Sequence, residues 1–367
     1  MSERRGACIG IDMFRLRPAL QAALCCVWLE SGMAVAQTVP ADLLDVSLED
    51  LFSANVIENQ EVESKRWHVS YSYGRSTFDE YRDGSERLSY DDVLWGGPGE
   101  TRTQKNFPVV PTKITQEVHS LLLAYEISTT LGIRMSVPFI EQSTDHISIV
   151  PNYSDFNISS DGIGDVVAMV DYGFATSLNS GWRVLGGVSF PTGSIDEEGD
   201  TPRAPGSQQL PYTMQIGSGT WDIPAALVYE KYGEQFHWGA EVSGKLRLGE
   251  NDRDYRLGHR MGLSAWTSVA TRHGLSPGVK VSYSWQGEID GEDASLSIPN
   301  PNFPYPAPVT DPRAFGGQQI DLTVYVDVDV GKNWSGRIRY SRPVWLDLNG
   351  PQSAQNYQVG ITVTTGF

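Results

Sequence analysis

The chain has 367 residues, and its 28 Lys+Arg against 45 Asp+Glu give a formal charge of −17, which argues against a nucleic-acid partner. Mean hydropathy is −0.29, and no stretch after residue 40 reaches the roughly 18–20 apolar residues of a membrane helix. The 37 glycines, 16 tyrosines and 10 tryptophans point instead to β-structure with many tight turns.

The first element reads as a removable signal. From Met13 the chain places Arg15 and Arg17 before an apolar run, Ala19 to Leu29, and then Ala34-Val35-Ala36. A basic segment, a short apolar core and an A-x-A site predict a secretory signal peptide over 1–36, with Met13 a possible true start. Cys8, Cys25 and Cys26 all fall within it, so the exported chain carries no thiol. Residues 37–66 follow as a leader. Leu43, Leu44, Val46, Leu48, Leu51 and Phe52 have helical spacing with Ser47 as N-cap, which fits either a short helix that partly plugs a pore or a flexible segment on the periplasmic side.

From Trp67 to Phe367 the pattern changes to alternation with a period of two. Trp67, Val69, Tyr71 and Tyr73 share one face. Leu121, Leu123, Tyr125 and Ile127 repeat it, as do Leu131, Ile133, Met135, Val137 and Phe139. Further strands are read over 165–174, 182–190, 220–232, 235–249, 255–270, 275–285, 320–331, 334–340 and 357–367, about twelve in all. Opposite the apolar residues lie Arg134, Arg183, Glu230, Glu241 and a run of charges: Lys245, Arg247, Arg256, Arg260, Lys280, Asp321, Asp327, Asp329, Arg337 and Arg339. Short and long connections alternate along the chain, with 77–113 and 287–318 the long extremes and only 250–254 breaking the rule. This is the pattern of an all-β, transmembrane, antiparallel up-and-down barrel with long outer loops and short periplasmic turns in the bacterial outer membrane. Apolar residues would then face lipid and lipopolysaccharide, and the ten charges would line the lumen. Aromatic residues near strand ends (Trp67, Phe139, Trp182, Phe190, Trp221, Tyr229, Trp334, Tyr357) would form two interfacial girdles.

The last strand, "YQVGITVTTGF", sets Tyr357, Val359, Ile361, Val363 and Phe367 on one face. In lipid an unpaired edge is untenable, so this strand is expected to pair with the first. Its terminal aromatic resembles the C-terminal signal read by the outer-membrane insertion machinery.

"DGIGDVVAMVDYGF" (161–174) and "GWRVLGGVSFPTGS" (181–194) resemble a family of outer-membrane proteins known as the MetA pathway of phenol degradation, whose members share a Gly-x-Gly-Asp strand start and a Pro-Thr-Gly strand exit. "LPYTMQIGSGTWDI" (210–223) and 255–291 resemble further family segments. The resemblance implies a porin-like or transporter-like barrel over residues 67–367. "SLEDLFSANV" (47–56) resembles the leader that precedes the plug of TonB-dependent receptors, but no plug-sized segment follows it.

Catalytic chemistry is sparse. His68, His119, His146, His237, His259 and His273 are scattered, and no zinc spacing, phosphate loop or nucleophile elbow occurs. The expectation is therefore no enzyme, no cofactor and no metal site. The acidic runs around 79–92, 196–200 and 290–293 read as solvated loop charge. The protein is expected to pass or bind small molecules, with aromatic or hydrophobic compounds among the candidates. The alternative is a non-conducting structural or adhesion barrel.

Overall fold

The computed structural model describes residues 66–177, 179–271, 274–331 and 333–367; the signal read over 1–36 and the leader, up to residue 65, lie outside the described residues. One closed antiparallel wall is built from β1 (Trp67–Gly84), β2 (Val109–Glu126), β3 (Leu131–Ser148), β4 (Val166–Phe174), β5 (Ser180–Phe190), β6 (Trp221–Tyr232), β7 (Phe236–Leu248), β8 (Arg260–Val269), β9 (Leu275–Gln286), β10 (Gly317–Val330) and β11 (Trp334–Gly366). Each strand pairs with its neighbour in the chain, and β11 pairs back onto β1. β11 supplies two passes. Its first arm pairs with β10 from Trp334 to Leu348, and its second with β1 from Leu348 to Gly366. The eleven unbroken strands of the ring therefore cross twelve times.

Alternation sets the two faces. Leu121, Ile133, Met261, Leu263, Val324 and Ile338 point outward and stay exposed, while their chain neighbours Ser120, Arg134, Ser264, Thr323 and Arg339 point inward and are buried. An exposed apolar exterior around a polar interior is stable only in lipid, so this is a transmembrane barrel. Aromatic pairs mark both borders of the apolar belt. Trp67–Tyr125 (4.7 Å), Trp182–Tyr229 (4.9 Å) and Tyr229–Trp238 (5.3 Å) lie at the end with tight turns, and Phe190–Trp221 (5.3 Å) lies at the end with loops. The tight turns have local causes. Between β2 and β3 the Ser128 hydroxyl accepts from the Thr130 and Leu131 amides at 3.2 and 3.1 Å, so four residues reverse the chain.

Several strand limits differ from those read in the sequence. β1 runs to Gly84 and β2 starts at Val109, so much of 77–113 is strand. Beyond Tyr73 the strict alternation ends because the wall rises above lipid, and Phe78 and Tyr81, on opposite parities, are both buried in apolar clusters. The segment 341–356 is also strand, part of β11, rather than a long loop. In the other direction, β8 begins at Arg260 instead of Tyr255. The β7–β8 connection is therefore long, and the apparent exception to the alternation of short and long connections disappears. Tyr255–Arg256 pairs with Asp290–Gly291 among the loops.

The loops fold inward. Tyr212, Tyr255, Leu257, Ile289, Leu296 and Phe315, from three connections, form one buried cluster at the loop end. The segment after Leu210 descends along the inner face of β3. Gln142 Nε2 donates to the Gln215 carbonyl at 3.0 Å, and Ile216 packs on Val118 and Ile140.

Candidate functional site

The interior has sectors of different chemistry, each set by which residue falls on the inward parity. On one side Leu122 of β2, Val167 and Met169 of β4, Leu185 of β5 and Ala226 and Val228 of β6 form an apolar wall, with Trp266 of β8 packed against it. Beside Trp266, between β7, β8 and β9, lies a cavity of about 140 Å³ lined by Lys245, Arg260, Lys280, Glu241 and serines 243, 264, 282 and 284. Its lining side chains carry three positive charges against one negative, and they act through a lower effective dielectric than bulk water. The opposite wall is a ladder of small hydroxyls: Ser70–Thr364 at 2.8 Å, Ser72–Thr362 at 2.9 Å and Thr323–Ser341 at 2.9 Å.

Most of the ten charges read as lumenal do face inward, but they differ in what they offer a solute. Lys245, Arg260 and Lys280 share the cavity. Arg247 is buried in an ion pair with Asp222, itself fully buried at the foot of the β5–β6 loop. Arg337 grips Asp327 with two hydrogen bonds, at 2.5 and 3.0 Å, and lies 4.5 Å over the Tyr325 ring. Arg339 is buried on the same strand, and Asp321 accepts from Gln319 Nε2 at 2.7 Å. Asp329 sits exposed near the turn end of β10. Arg256 is the exception: it lies outside the barrel strands and pairs with Asp290 at 2.5 Å. Its alternation with Arg260 suggested a common strand, but residues 257–259 leave the ladder before β8 starts.

Parity reasoning missed the apolar wall, because an outward-apolar rule hides inward apolar residues. Two signals were present. Leu121-Leu122-Leu123 must turn one leucine inward, and Trp266 shares its parity with Arg260 and Ser264.

The Gly-x-Gly-Asp and Pro-Thr-Gly segments meet as one buckle at the outer end of β4 and β5. The Thr192 hydroxyl donates to the Gly164 carbonyl at 2.8 Å and accepts from the Val166 amide at 2.9 Å. Asp165 accepts from the Gly193 amide at 2.9 Å and from the Ser218 amide and hydroxyl at 2.9 and 2.6 Å. A Cβ on Gly193 would come within 2.6 Å of Gly217 Cα, so glycine is required where these backbones cross. The buckle fixes the point from which the 191–220 loop enters the barrel mouth.

A second latch joins the β1–β2 and β9–β10 loops. The Arg102 guanidinium lies 5.7, 5.3 and 5.2 Å from the rings of Trp95, Phe107 and Phe303, and donates to the Tyr305 carbonyl at 3.2 Å. Burial lowers its pKa to about 10, so it remains charged at neutral pH. Gln104 donates to the Asn302 carbonyl at 2.8 Å alongside. The proline-rich loop is thereby folded over the mouth rather than standing above it.

A search of curated proteins finds no match. Among solved structures the chain is similar to the COG4313 outer membrane channel from Pseudomonas putida F1, at 14% identity and TM-score 0.55 over 85% of this chain and 99% of that one. It also resembles the translocator domain of autotransporter NalP from Neisseria meningitidis (8% identity, TM-score 0.46, 89% and 96% covered). A third is a Pseudomonas aeruginosa FadL homologue (10% identity, TM-score 0.38, 83% and 91% covered). The first establishes the shared barrel fold. Residues 101–336, which carry the buckle, the Trp266 strand and the basic cavity, match the family model for the MetA-pathway of phenol degradation, and the chain belongs to that family.

Proposed function

We propose that the protein is an outer-membrane channel that holds and passes small molecules with an apolar or aromatic body and an anionic or polar group. The observation that carries this reading is the adjacency of the Trp266 wall to the cavity of Lys245, Arg260 and Lys280. An aromatic solute would lay its ring on the apolar wall and its charged group among the cations, gaining apolar burial and electrostatic attraction together. The Pseudomonas putida protein of similar fold is called an outer membrane channel, which fits the same role here. Export through the 1–36 signal and insertion by the outer-membrane assembly machinery belong to this reading. Non-enzymatic transport is part of the same reading, in keeping with the outer membrane channel of similar fold.

The non-conducting alternative draws on one observation, the apolar cluster of loop residues folded over the mouth. Planar bilayers separate the two. Discrete conductance steps are expected, and replacing both Arg260 and Lys280 with glutamine should shift the reversal potential toward cations while the barrel stays folded. A silent bilayer with heat-modifiable wild-type protein would favour the structural barrel. An unchanged reversal potential in a conducting variant would remove the basic cavity from the permeation path.

A further inference from the structure

We propose that Glu117, His119 and Glu141 form a divalent transition-metal site on the outside of the barrel, at the loop-end border of its apolar belt. The exterior of β2 runs Tyr125, Leu123, Leu121 and then changes to His119 and Glu117; that of β3 runs Ile133, Met135, Val137, Phe139 and then changes to Glu141. The register pairs His119 with Phe139 and Glu117 with Glu141, so β2 turns polar one pair before β3 and the two carboxylates meet at one level. One ligand atom from each of the three residues lies within 4.8 Å of the others.

Two features favour a metal over a solvated surface. Glu117 and Glu141 are direct cross-strand partners, a like-charge opposition that destabilises a ladder. It lies beside lipid, where bulk water cannot fully screen it. Glu117 has partial compensation from the Tyr73 hydroxyl at 2.8 Å and Arg75 at 3.7 Å. Among the described residues the Glu141 carboxylate has no hydrogen bond or ion pair. The histidine is also oriented. Tyr71 Oη lies 2.7 Å from His119 Nδ1, which leaves Nε2 to bind, as outer partners commonly orient metal-binding imidazoles. One imidazole and two carboxylates provide three ligands and leave positions open to water. The imidazole favours a transition metal over Mg²⁺ or Ca²⁺.

Mn²⁺ is a suitable probe for the full chain, because Cys8, Cys25 and Cys26 would compete for softer ions. Titration of refolded protein in detergent, followed by loss of the free Mn²⁺ electron-paramagnetic-resonance signal, should show one site that is tighter than any binding by the acidic loops. Pulsed spectra of that bound ion should show coupling to an imidazole nitrogen. Glu141→Gln should weaken the site at least tenfold, and His119→Gln should remove the nitrogen coupling, with heat-modifiable migration retained in both. Absence of nitrogen-coupled Mn²⁺ in the wild type, or unchanged binding and coupling in either folded variant, would overturn the assignment.

Discussion

Asp165 shows how a short motif acquires its meaning. Its carboxylate ties the β4–β5 exit to Ser218, at the end of the loop that enters the mouth. Asp165→Ala leaves two backbone amides and a hydroxyl without their acceptor, which should cost about 2–4 kcal/mol. The expected outcome is a lower temperature for conversion of the folded, fast-migrating band, together with protease cleavage near 196–210. An unchanged conversion temperature would mean the buckle is not a stabilising element. At this scale the sequence was readable wherever parity alone decides orientation. Lys245, Arg260, Lys280 and Arg339 face inward as alternation requires. Arg256 was misplaced because alternation continues in sequence past the point where hydrogen bonding stops. Glu117 and His119 were overlooked because polar residues on the outward parity are invisible to a rule that seeks polar residues inside.

Elements were legible in their middles and not at their ends. Inside the belt, lipid on one face and the lumen on the other impose strict alternation, so strand cores such as 131–139 and 320–330 stand out. Above the belt that contrast vanishes, and β1, β2, β3 and β11 continue through sequence that reads as loop. The proline-rich loop was recognisable as neither helix nor central strand, but its docking depends on Arg102, just over two hundred residues from its contacts in the chain. Cation–π contacts at partly exposed sites are worth about 0.5–2 kcal/mol. Arg102→Ala should therefore release the 287–316 loop while leaving the barrel closed. Protease added to intact cells should cut that loop several-fold faster in the variant than in the wild type; equal rates would mean that Gln104 and the apolar contacts hold it alone.

For the whole molecule, lipid accounts for both the low mean hydropathy and the exposed apolar exterior, since only alternate residues of each strand meet the membrane. The fold class was accessible from sequence for that reason, and the closed ring follows from the need to pair every backbone edge. The capped mouth was not accessible. It depends on contacts among three loops whose sequences share no period. Phe367 sits at the seam of the ring, where it exchanges backbone hydrogen bonds with Trp67 at 3.2 and 3.0 Å. Deleting Phe367 removes that final pair and the proposed insertion signal. Outer-membrane assembly should fall, with protease-sensitive chain left in the periplasm. Wild-type amounts of heat-modifiable protein in the deletion strain would refute the signal role.

The same seam has a consequence for the order of events in folding. Every other ladder in the ring joins strands adjacent in the chain, whereas Ser70 and Thr364, hydrogen-bonded across the seam, are 294 residues apart. From an unfolded chain, the logarithmic cost of closing so long a loop exceeds that of a tight hairpin by about 4 kcal/mol. Hairpin-by-hairpin growth avoids most of this cost, because each added strand curls the sheet and carries its two free edges toward each other. The seam is then the last ladder to form, and until it does both β1 and the second arm of β11 present open edges. The barrel has no stable half-built form in lipid, and the interval before closure is when it depends most on outside protection.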